Sequence, residues 1–309
     1  MFFDVFYIII GVTLVLVGAD RLTEGASSLA RRFGVPEIVI GLTIVACGTS
    51  MPEFFVSLMS ALNDTPDMAV GNVVGSNIMN SMLIVGCAAV AAPLVISRST
   101  VKKDIPFAVG ASLLLILLSL DSTVGRIDGI ILLVGFVGFM AYTLWQAKGS
   151  KAESADAVKQ QNIWLSACYI LLGLAGLVFG SNLFVDSASS VASSLGVSES
   201  VIGLTIVAGG TSLPELATSV VAARKGQSAI AIGNVIGSNV FNILLILGAT
   251  AAISPLQMEG ITTLDMAVMF GSVALVWLFS FTRYTVERWE GFALLALYGA
   301  YLAWLLYNA

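Results

Sequence analysis

The chain has 309 residues, of which 58% are hydrophobic and only 11% are charged, and its mean hydropathy is +0.97. Because soluble domains carry about 25% charged residues, this composition excludes an ordinary water-soluble protein and predicts that lipid surrounds most of the chain. The net charge of −5 includes no basic tail, which excludes nucleic acid as a partner, and the absence of histidine excludes a histidine-based metal site.

Ten apolar segments follow one another along the chain, each close to the roughly 20 residues that a spanning helix needs. The first starts at the N-terminus, where MFFDVFYIII lacks the basic residues and the cleavage site of a signal peptide, so we expect it to span the membrane. The sequence therefore predicts an all-α integral membrane protein. We number the predicted transmembrane helices 1 to 10, over residues 3–20, 36–62, 68–92, 104–121, 126–146, 163–184, 198–222, 228–253, 262–281 and 289–307.

The two halves of the chain repeat each other. Residues 34–94 align without gaps with residues 196–256, at an offset of 162, and about 32 of the 61 aligned residues are identical, which indicates an internal duplication. This predicts a first five-helix repeat over residues 1–147, a polar cytoplasmic linker over residues 148–162 and a second five-helix repeat over residues 163–309. Because five is an odd number, the second repeat must enter the membrane from the opposite side, so the repeats have inverted topology.

The positive charges support this inversion. The loops after predicted helices 1, 3, 5, 7 and 9 carry 13 lysine and arginine residues, whereas the other face carries only Arg126. Basic residues concentrate on the cytoplasmic side of membrane proteins, so we expect a multi-pass protein of the cell membrane with both termini outside. The 13 residues are Arg21, Arg31, Arg32, Arg98, Lys102, Lys103, Lys148, Lys151, Lys159, Arg224, Lys225, Arg283 and Arg288.

One repeated motif, IGLTIVACGTSMPE at 40–53 and IGLTIVAGGTSLPE at 202–215, ends on a glutamate near the middle of an apolar run. A carboxylate at the bilayer centre costs about 2.5 kcal/mol or more, so such residues generally serve a function. An inverted two-fold axis would bring Glu53 and Glu215 face to face at the midplane. The alternative, in which they only cap or pair helices, leaves their duplicated charge without compensation.

A serine and a proline precede each glutamate. Pro52 and Pro214 cannot donate to the carbonyl four residues earlier, so the chain is expected to break there, and Ser50 and Ser212 fit the S-x-x-E capping box of a new helix start. We predict that helices 2, 3, 7 and 8 are broken around a midplane ion site. The carbonyl oxygens freed by the breaks are candidate cation ligands, at Ala46, Thr49, Ala208 and Thr211.

The second motif, GNVVGSNIMN at 71–80 and GNVIGSNVFN at 233–242, adds further oxygen atoms. Ser76 and Asn80 are four residues apart and share a helix face, and their partners Ser238 and Asn242 do the same. Four other asparagines are open to either a ligand or a structural role: Asn72, Asn77, Asn234 and Asn239.

This set of oxygen atoms suits a hard cation, and calcium takes about six to eight of them. No histidine is available, and the cysteines form no paired motif, so zinc, copper and iron are poor candidates. Glu53 and Glu215 carry a charge of −2 when ionised, which one Ca²⁺ or several Na⁺ would neutralise, but not both together. Such mutual exclusion is a physical basis for exchange.

With both motifs present twice, the chain resembles the calcium/cation antiporter superfamily, specifically its prokaryotic sodium/calcium exchanger-like branch, over nearly its whole length. The resemblance implies exchange of Ca²⁺ for Na⁺ by alternating access, with helices 1 and 6 sliding across the others. Ca²⁺ and Na⁺ are then transported substrates in a lipid bilayer, and neither a cofactor nor an obligate protein partner is expected.

The resemblance also implies a role for each site residue. Glu53 and Glu215 would serve both ions, and the carbonyls of Thr49 and Thr211 would complete the calcium site. Flanking sodium sites would use Ser50, Ser76, Ser212, Ser238 and the carbonyls of Ala46 and Ala208, with Asn80 and Asn242 beside the central site. Potassium-dependent relatives carry an aspartate at one of the last two positions, so two asparagines favour potassium independence.

Other functions are open on the sequence alone. A proton/calcium antiporter would keep very similar motifs, and a passive cation channel could use the same oxygen atoms. A membrane scaffold would leave the buried glutamates unexplained. An enzyme is the poorest fit, because no nucleophile–base pair and no soluble catalytic domain are apparent.

Overall fold

The computed structural model describes residues 2–63, 66–149, 162–196, 206, 208–258 and 260–308, and within these ranges the chain forms helices and four two-residue strands. The helices are α1 (Phe2–Phe33), α2 (Glu37–Thr49), α3 (Met51–Leu62), α4 (Pro66–Ala91), α5 (100–118), α6 (Arg126–Gly149), α7 (Ile163–Ser194), α8 (Ala208–Thr211), α9 (Leu213–Arg224), α10 (Ser228–Ile253), α11 (Thr263–Ser280) and α12 (Arg288–Asn308). The strands are β1 (Leu94–Val95), β2 (Thr123–Val124), β3 (Leu256–Gln257) and β4 (Thr285–Val286).

Among the described residues, seven helices are long and apolar enough to cross a membrane, and an eighth span results if the bent pair α2 and α3 is counted as one. The chain is therefore an all-helical protein with several membrane spans, as predicted. The number ten stays a prediction. Residues 198–205 and 207 of predicted helix 7, and 150–161 of the predicted linker, lie outside the described residues. Predicted helix 4 corresponds to α5, which continues for 14 residues after its first turn.

Helices α1 and α7 are both longer than predicted, because they run on to Phe33 and Ser194. The predicted ends at residues 20 and 184 were wrong. Hydropathy marks only the part of a helix at lipid depth, whereas the length of a helix depends on its backbone hydrogen bonds and packing. The extension of α1 buries Ser28, which accepts a hydrogen bond from Ser166 of α7.

The two long helices pack with their backbones nearly in contact. A Cβ atom on Gly18 would lie 2.8 Å from the carbonyl oxygen of Gly173, and one on Gly11 would lie 2.8 Å from that of Gly180. Any side chain at these positions would collide with backbone. Small residues at such crossings allow the close van der Waals packing that joins helices in membranes.

The centre of the molecule is formed by α4 and α10, which are the most buried of the spans, with the bent helices α2 and α3 and the short α8 and α9 beside them. Helix α2 crosses α10 at a pair of glycines, and a Cβ atom on Gly41 would lie 3.0 Å from the Cα of Gly233. This close crossing brings the polar motif of each half against the other half.

Two antiparallel strand pairs join loops from different halves of the chain. β1 pairs with β4, and β2 pairs with β3. The first pair lies in loops predicted to be cytoplasmic, and the second in loops predicted to be outside. The pairing is therefore compatible with the predicted topology, because each pair joins two loops of the same predicted side.

The breaks predicted in four helices occur in two of them. The chain bends by 47° between α2 and α3 at Ser50, and α8 and α9 are separated at Ser212. The prediction was wrong for helices 3 and 8, because α4 and α10 run without a gap. Each instead contains a π-helical segment, Asn80–Ile84 in α4 and Phe241–Leu247 in α10. A π segment has hydrogen bonds between residues five apart, which widen the helix and shift the register of its side chains.

Candidate functional site

The two glutamates of the repeated motif lie in the first turn of a helix that starts after a break. Glu53 is near the start of α3 and Glu215 near the start of α9, each directly after a proline in the first turn. Both side chains are only 1% exposed. The N-terminal turn of a helix carries partial positive charge, which favours a carboxylate there, but the remaining charge must be compensated by other groups.

The serines of the motif bind the glutamates in a crossed arrangement. The hydroxyl of Ser212 donates to Oε1 of Glu53, and the hydroxyl of Ser50 donates to Oε1 of Glu215, both at 3.0 Å. The predicted capping boxes were wrong, since neither serine makes a side-chain capping hydrogen bond at the start of α3 or α9. Each hydroxyl is instead aimed at the other half of the molecule. The hydroxyl of Ser76 lies 3.3 Å from that of Ser212.

An asparagine holds the backbone of each glutamate in place. In both halves its side-chain NH₂ group donates to the glutamate carbonyl and to a serine hydroxyl one turn later. The serines were missed in the sequence, although they are identical in the two aligned halves. The distances are 3.2 Å and 2.9 Å from Asn72 to Glu53 and Ser57, and 3.3 Å and 3.0 Å from Asn234 to Glu215 and Ser219.

Four asparagines from α4 and α10 form a hydrogen-bonded network across the two halves. Asn242 donates to Oδ1 of Asn77 at 3.1 Å, and Asn80 donates to Oδ1 of Asn239 at 3.1 Å. Asn77 in turn donates to the backbone carbonyl of Asn239, and Asn239 donates to the hydroxyl of Ser81. The NH₂ groups of Asn80 and Asn242 therefore donate to other asparagines of the network. Their carbonyl oxygens point away from these partners.

Several buried oxygen atoms at this place have no hydrogen-bond partner among the described residues. They are Oε2 of Glu53, Oε2 of Glu215, Oδ1 of Asn80, Oδ1 of Asn242 and the hydroxyl of Ser238. Buried polar atoms are nearly always paired, and leaving one unpaired costs about 1–3 kcal/mol or more if it is charged. Four of the five atoms can only accept or coordinate, so the residues present fit a cation.

The remaining predicted residues lie on the short segment before each break. The hydroxyl of Thr49 donates to Oδ1 of Asn234 at 3.0 Å, so Thr49 also contacts the other half. The carbonyl of Ala46 is not freed as predicted, because it accepts the amide of Ser50 at 3.0 Å. Ala208 and Thr211 are the first and last residues of α8.

A family model for sodium/calcium exchanger proteins matches this chain twice, over residues 3–145 and 165–307. The putative antiporter CaxA of Alkalimonas amylolytica is 40% identical over 256 residues, which cover 81% of this chain and 80% of that protein. The sodium/calcium exchanger MaX1 of Methanosarcina acetivorans is 30% identical over 348 aligned positions, covering 97% of each chain.

A solved structure of similar fold is the sodium–calcium exchanger NCX_Mj, soaked with 2.5 mM Na⁺ and 0.1 mM Ca²⁺. Its sequence is 33% identical to this chain, and the two superpose with a TM-score of 0.85 over 97% of this chain and 98% of the other. Similarity thus extends over almost the full length of both proteins.

Proposed function

Because this chain belongs to the sodium/calcium exchanger protein family, we propose that it is a secondary antiporter that exchanges Ca²⁺ for Na⁺ across the membrane by alternating access. Family membership supports the broader class: a multi-pass membrane protein that is a cation/calcium antiporter. The choice of Na⁺ as the coupled ion is the finer part of the proposal.

The observation that carries the proposal is the group of unpartnered oxygens around Glu53 and Glu215. Each carboxylate accepts a hydrogen bond from a serine of the other half through Oε1, and its Oε2 has no partner in the part of the chain that the structure describes. Two buried carboxylates in one network repel each other unless a cation lies between them. One Ca²⁺ balances their charge, and Na⁺ ions balance it only when Ca²⁺ has left.

We assign the residues to the ions as follows. Glu53 and Glu215 bind both Ca²⁺ and Na⁺, and their paired charge makes the two occupancies exclusive. Asn80 and Asn242 present amide oxygens to the central site. The carbonyls of Thr49 and Thr211 complete the calcium site, and the flanking sodium sites use Ser50, Ser76, Ser212, Ser238 and the carbonyl of Ala208. The carbonyl of Ala46 joins these sites only through the lone pair that its hydrogen bond from the Ser50 amide leaves open.

A flux experiment tests the function. The purified chain is reconstituted into vesicles loaded with Na⁺ and diluted into Na⁺-free buffer containing radioactive Ca²⁺. We expect Ca²⁺ uptake that requires internal Na⁺ and does not require K⁺. Uptake driven by a pH gradient with Na⁺ absent would identify a proton/calcium antiporter, and uptake without any countertransported ion would identify a channel.

The site assignment is tested with Glu53→Gln and Glu215→Gln, which keep the shape of the side chain and remove its charge. Each should abolish Na⁺-dependent uptake. Glu24→Gln, at a half-buried residue of α1 that pairs with Arg21 outside the site, is the matched control and should retain transport. Full uptake in both site variants would contradict the assignment.

A further inference from the structure

A mostly apolar groove with two lysines at one end lies between α5 and α6, away from the glutamates. This groove of about 600 Å³ opens there on the surface of the helix bundle, a size in the range of small-molecule sites. Its lining residues are Lys102, Lys103, Phe107, Gly135, Gly138 and Tyr142.

The spacing of these residues gives the groove two different ends. Lys103 and Phe107 are four residues apart on α5, and Gly135, Gly138 and Tyr142 share one face of α6. Helices α5 and α6 follow each other in opposite directions, so the lysines at the start of α5 are level with Tyr142. Gly138 lies four residues earlier, about 6 Å along the helix axis, at the level of Phe107, and Gly135 lies about one turn deeper.

The lysine end carries two positive charges, of which that of Lys103 interacts with the carboxylate of the adjacent Asp104 without forming an ion pair. Both lysines are exposed, and within the described ranges no carboxylate lies within 4.0 Å of either ammonium group. The adjacent carboxylate of Asp104 is buried. Tyr142 packs near Trp145, with ring centres 6.4 Å apart, and Trp145 is 72% exposed. Tryptophan and tyrosine favour the level of lipid headgroups, so the lysines lie at that level too.

The deeper end of the groove is apolar and has room for a chain. A Cβ atom on Gly138 would meet no heavy atom within 4 Å, so the groove is open there. Phe107, with its ring 4.9 Å from that of the buried Phe139, forms the other wall. The groove thus has a cationic end at headgroup level and an apolar end at the depth of acyl chains.

At the same offset of 162, the second half keeps an aromatic residue, Trp304, in place of Tyr142 but lacks the lysines and the two glycines. The two lysines correspond to Leu264 and Asp265, and the two glycines to Leu297 and Ala300. Asp265 accepts a hydrogen bond from Tyr301 and belongs to the capping box of α11. The groove is therefore a property of one half, on the face predicted to be cytoplasmic, and is not a consequence of duplicated helix packing.

We propose that this groove is a binding site for an anionic phospholipid. Its phosphate lies against Lys102 and Lys103, and one acyl chain lies along the open surface of α6 between Gly138 and Phe107. Basic pockets between transmembrane helices on the cytoplasmic side bind anionic headgroups by this combination of charge and shape. The proposal does not depend on which ions the protein exchanges.

The test is lipid binding to the purified full chain in detergent, measured by native mass spectrometry. Phosphatidylglycerol is the anionic probe, phosphatidylcholine the zwitterionic one, and glycerol phosphate the headgroup alone. We expect phosphatidylglycerol to bind in preference to both. Lys102→Gln with Lys103→Gln should weaken its binding roughly tenfold or more, since each lysine contributes about 1 kcal/mol. Arginine at both positions should restore it.

A second variant tests the apolar end independently. Gly138→Leu fills the open part of the groove and should also weaken phosphatidylglycerol binding, whereas Gly271→Leu, at another open glycine on α11, should not. Arg126→Gln, a basic residue on the opposite predicted face, controls for general charge. Unchanged binding in the double lysine variant, equal binding of phosphatidylcholine, or displacement by glycerol phosphate at equal concentration would each overturn the proposal.

Discussion

Six asparagines lie in the two copies of the second motif, and their hydrogen bonds divide them into three pairs, of which Asn72 and Asn234 hold the backbones of the glutamates. Asn80 and Asn242 donate into the protein, and their carbonyl oxygens have no hydrogen-bond partner within the described ranges. Asn77 and Asn239 accept from exactly these two side chains through Oδ1, and so fix which way each amide points. We infer that Asn77 and Asn239 position the ligands and do not contact the ion themselves.

Replacing Asn77 by alanine tests this inference. Without Oδ1 of Asn77, the amide of Asn242 is free to rotate and present NH₂ to the cation. We expect the Ca²⁺ concentration for half-maximal uptake to rise about tenfold or more, as for other residues that orient metal ligands, while the maximal rate changes less. Asn182→Ala, on an exposed part of α7, is the control. An unchanged Ca²⁺ dependence would show that Asn77 has no positioning role.

The crossed serines give a second prediction at this scale. Ser50→Ala removes a hydrogen bond to the carboxylate of Glu215, and such bonds to charged groups contribute about 1.5–3 kcal/mol. We therefore expect Na⁺-dependent Ca²⁺ uptake to fall roughly tenfold at limiting ion concentrations. Ser112→Ala is matched, because Ser112 is also buried but bonds to Ala108 of its own helix. Equal loss in both variants would refute a specific role for Ser50.

These residues also show which atomic contacts can be predicted from the sequence and which cannot. The glutamates could be predicted because a buried charge and its repeat are visible in one dimension. The serines were predicted to cap their own helices, since the S-x-x-E pattern is local. Their true partners are far away in the sequence. Ser50 binds Glu215, 165 residues later, and Ser212 binds Glu53, 159 residues earlier. Only the folded arrangement decides which acceptor such a hydroxyl reaches.

At the scale of elements, the close crossing of α1 and α7 is the most demanding packing. Gly18→Ala would place a Cβ atom 2.8 Å from backbone atoms of both Gly173 and Leu177. Backbone cannot move aside as a flexible side chain can, so we expect a loss of about 1–3 kcal/mol in stability, as for other overpacked sites. The melting temperature of the purified protein in detergent should fall by several degrees, with a loss of transport.

Gly271→Ala is the control for this change, because its Cβ atom would meet nothing within 4 Å. Alanine favours a helix over glycine by about 1 kcal/mol, so this variant should melt at the same temperature or higher. Similar melting of both variants would mean that the crossing tolerates a wider separation than its geometry indicates.

The elements themselves were predicted unevenly, and the reason is physical. Apolar segments and the two proline breaks follow from hydropathy and from the missing amide of proline. The π segments at Asn80–Ile84 and Phe241–Leu247 have no comparable signal, because every residue in them can also form an α-helix. Both lie beside the asparagine network. Tertiary contacts of Asn80 and Asn242, which are absent from local sequence, accompany this change of register.

At the scale of the whole molecule, neither half contains a complete site. Glu53 of the first half accepts from Ser212 of the second, and Glu215 accepts from Ser50. The strand pairs β1–β4 and β2–β3 also link the two halves. The site is therefore built by contacts between the two halves.

This arrangement predicts the behaviour of a divided chain. Residues 1–149 and 162–309, produced together as separate polypeptides, should assemble and give Na⁺-dependent Ca²⁺ uptake in vesicles. Either part alone should give none, since its glutamate lacks the serine of the other part. Uptake by one part alone would contradict a site shared between the halves, whereas failure of both parts to assemble would be seen directly by co-purification.

The unpaired oxygens at Glu53 and Glu215 bear on how tightly the two fluxes are linked. A transport cycle without a bound cation would have to bring two uncompensated carboxylates through a state closed to water. Their repulsion is greatest there, because the dielectric constant is low. In the proposed antiporter, we therefore expect return without a bound cation to be slow. The repulsion between the two carboxylates would then limit transport cycles without a bound cation. Uncoupled leak of the ion gradients would be suppressed by electrostatics, without a separate gate.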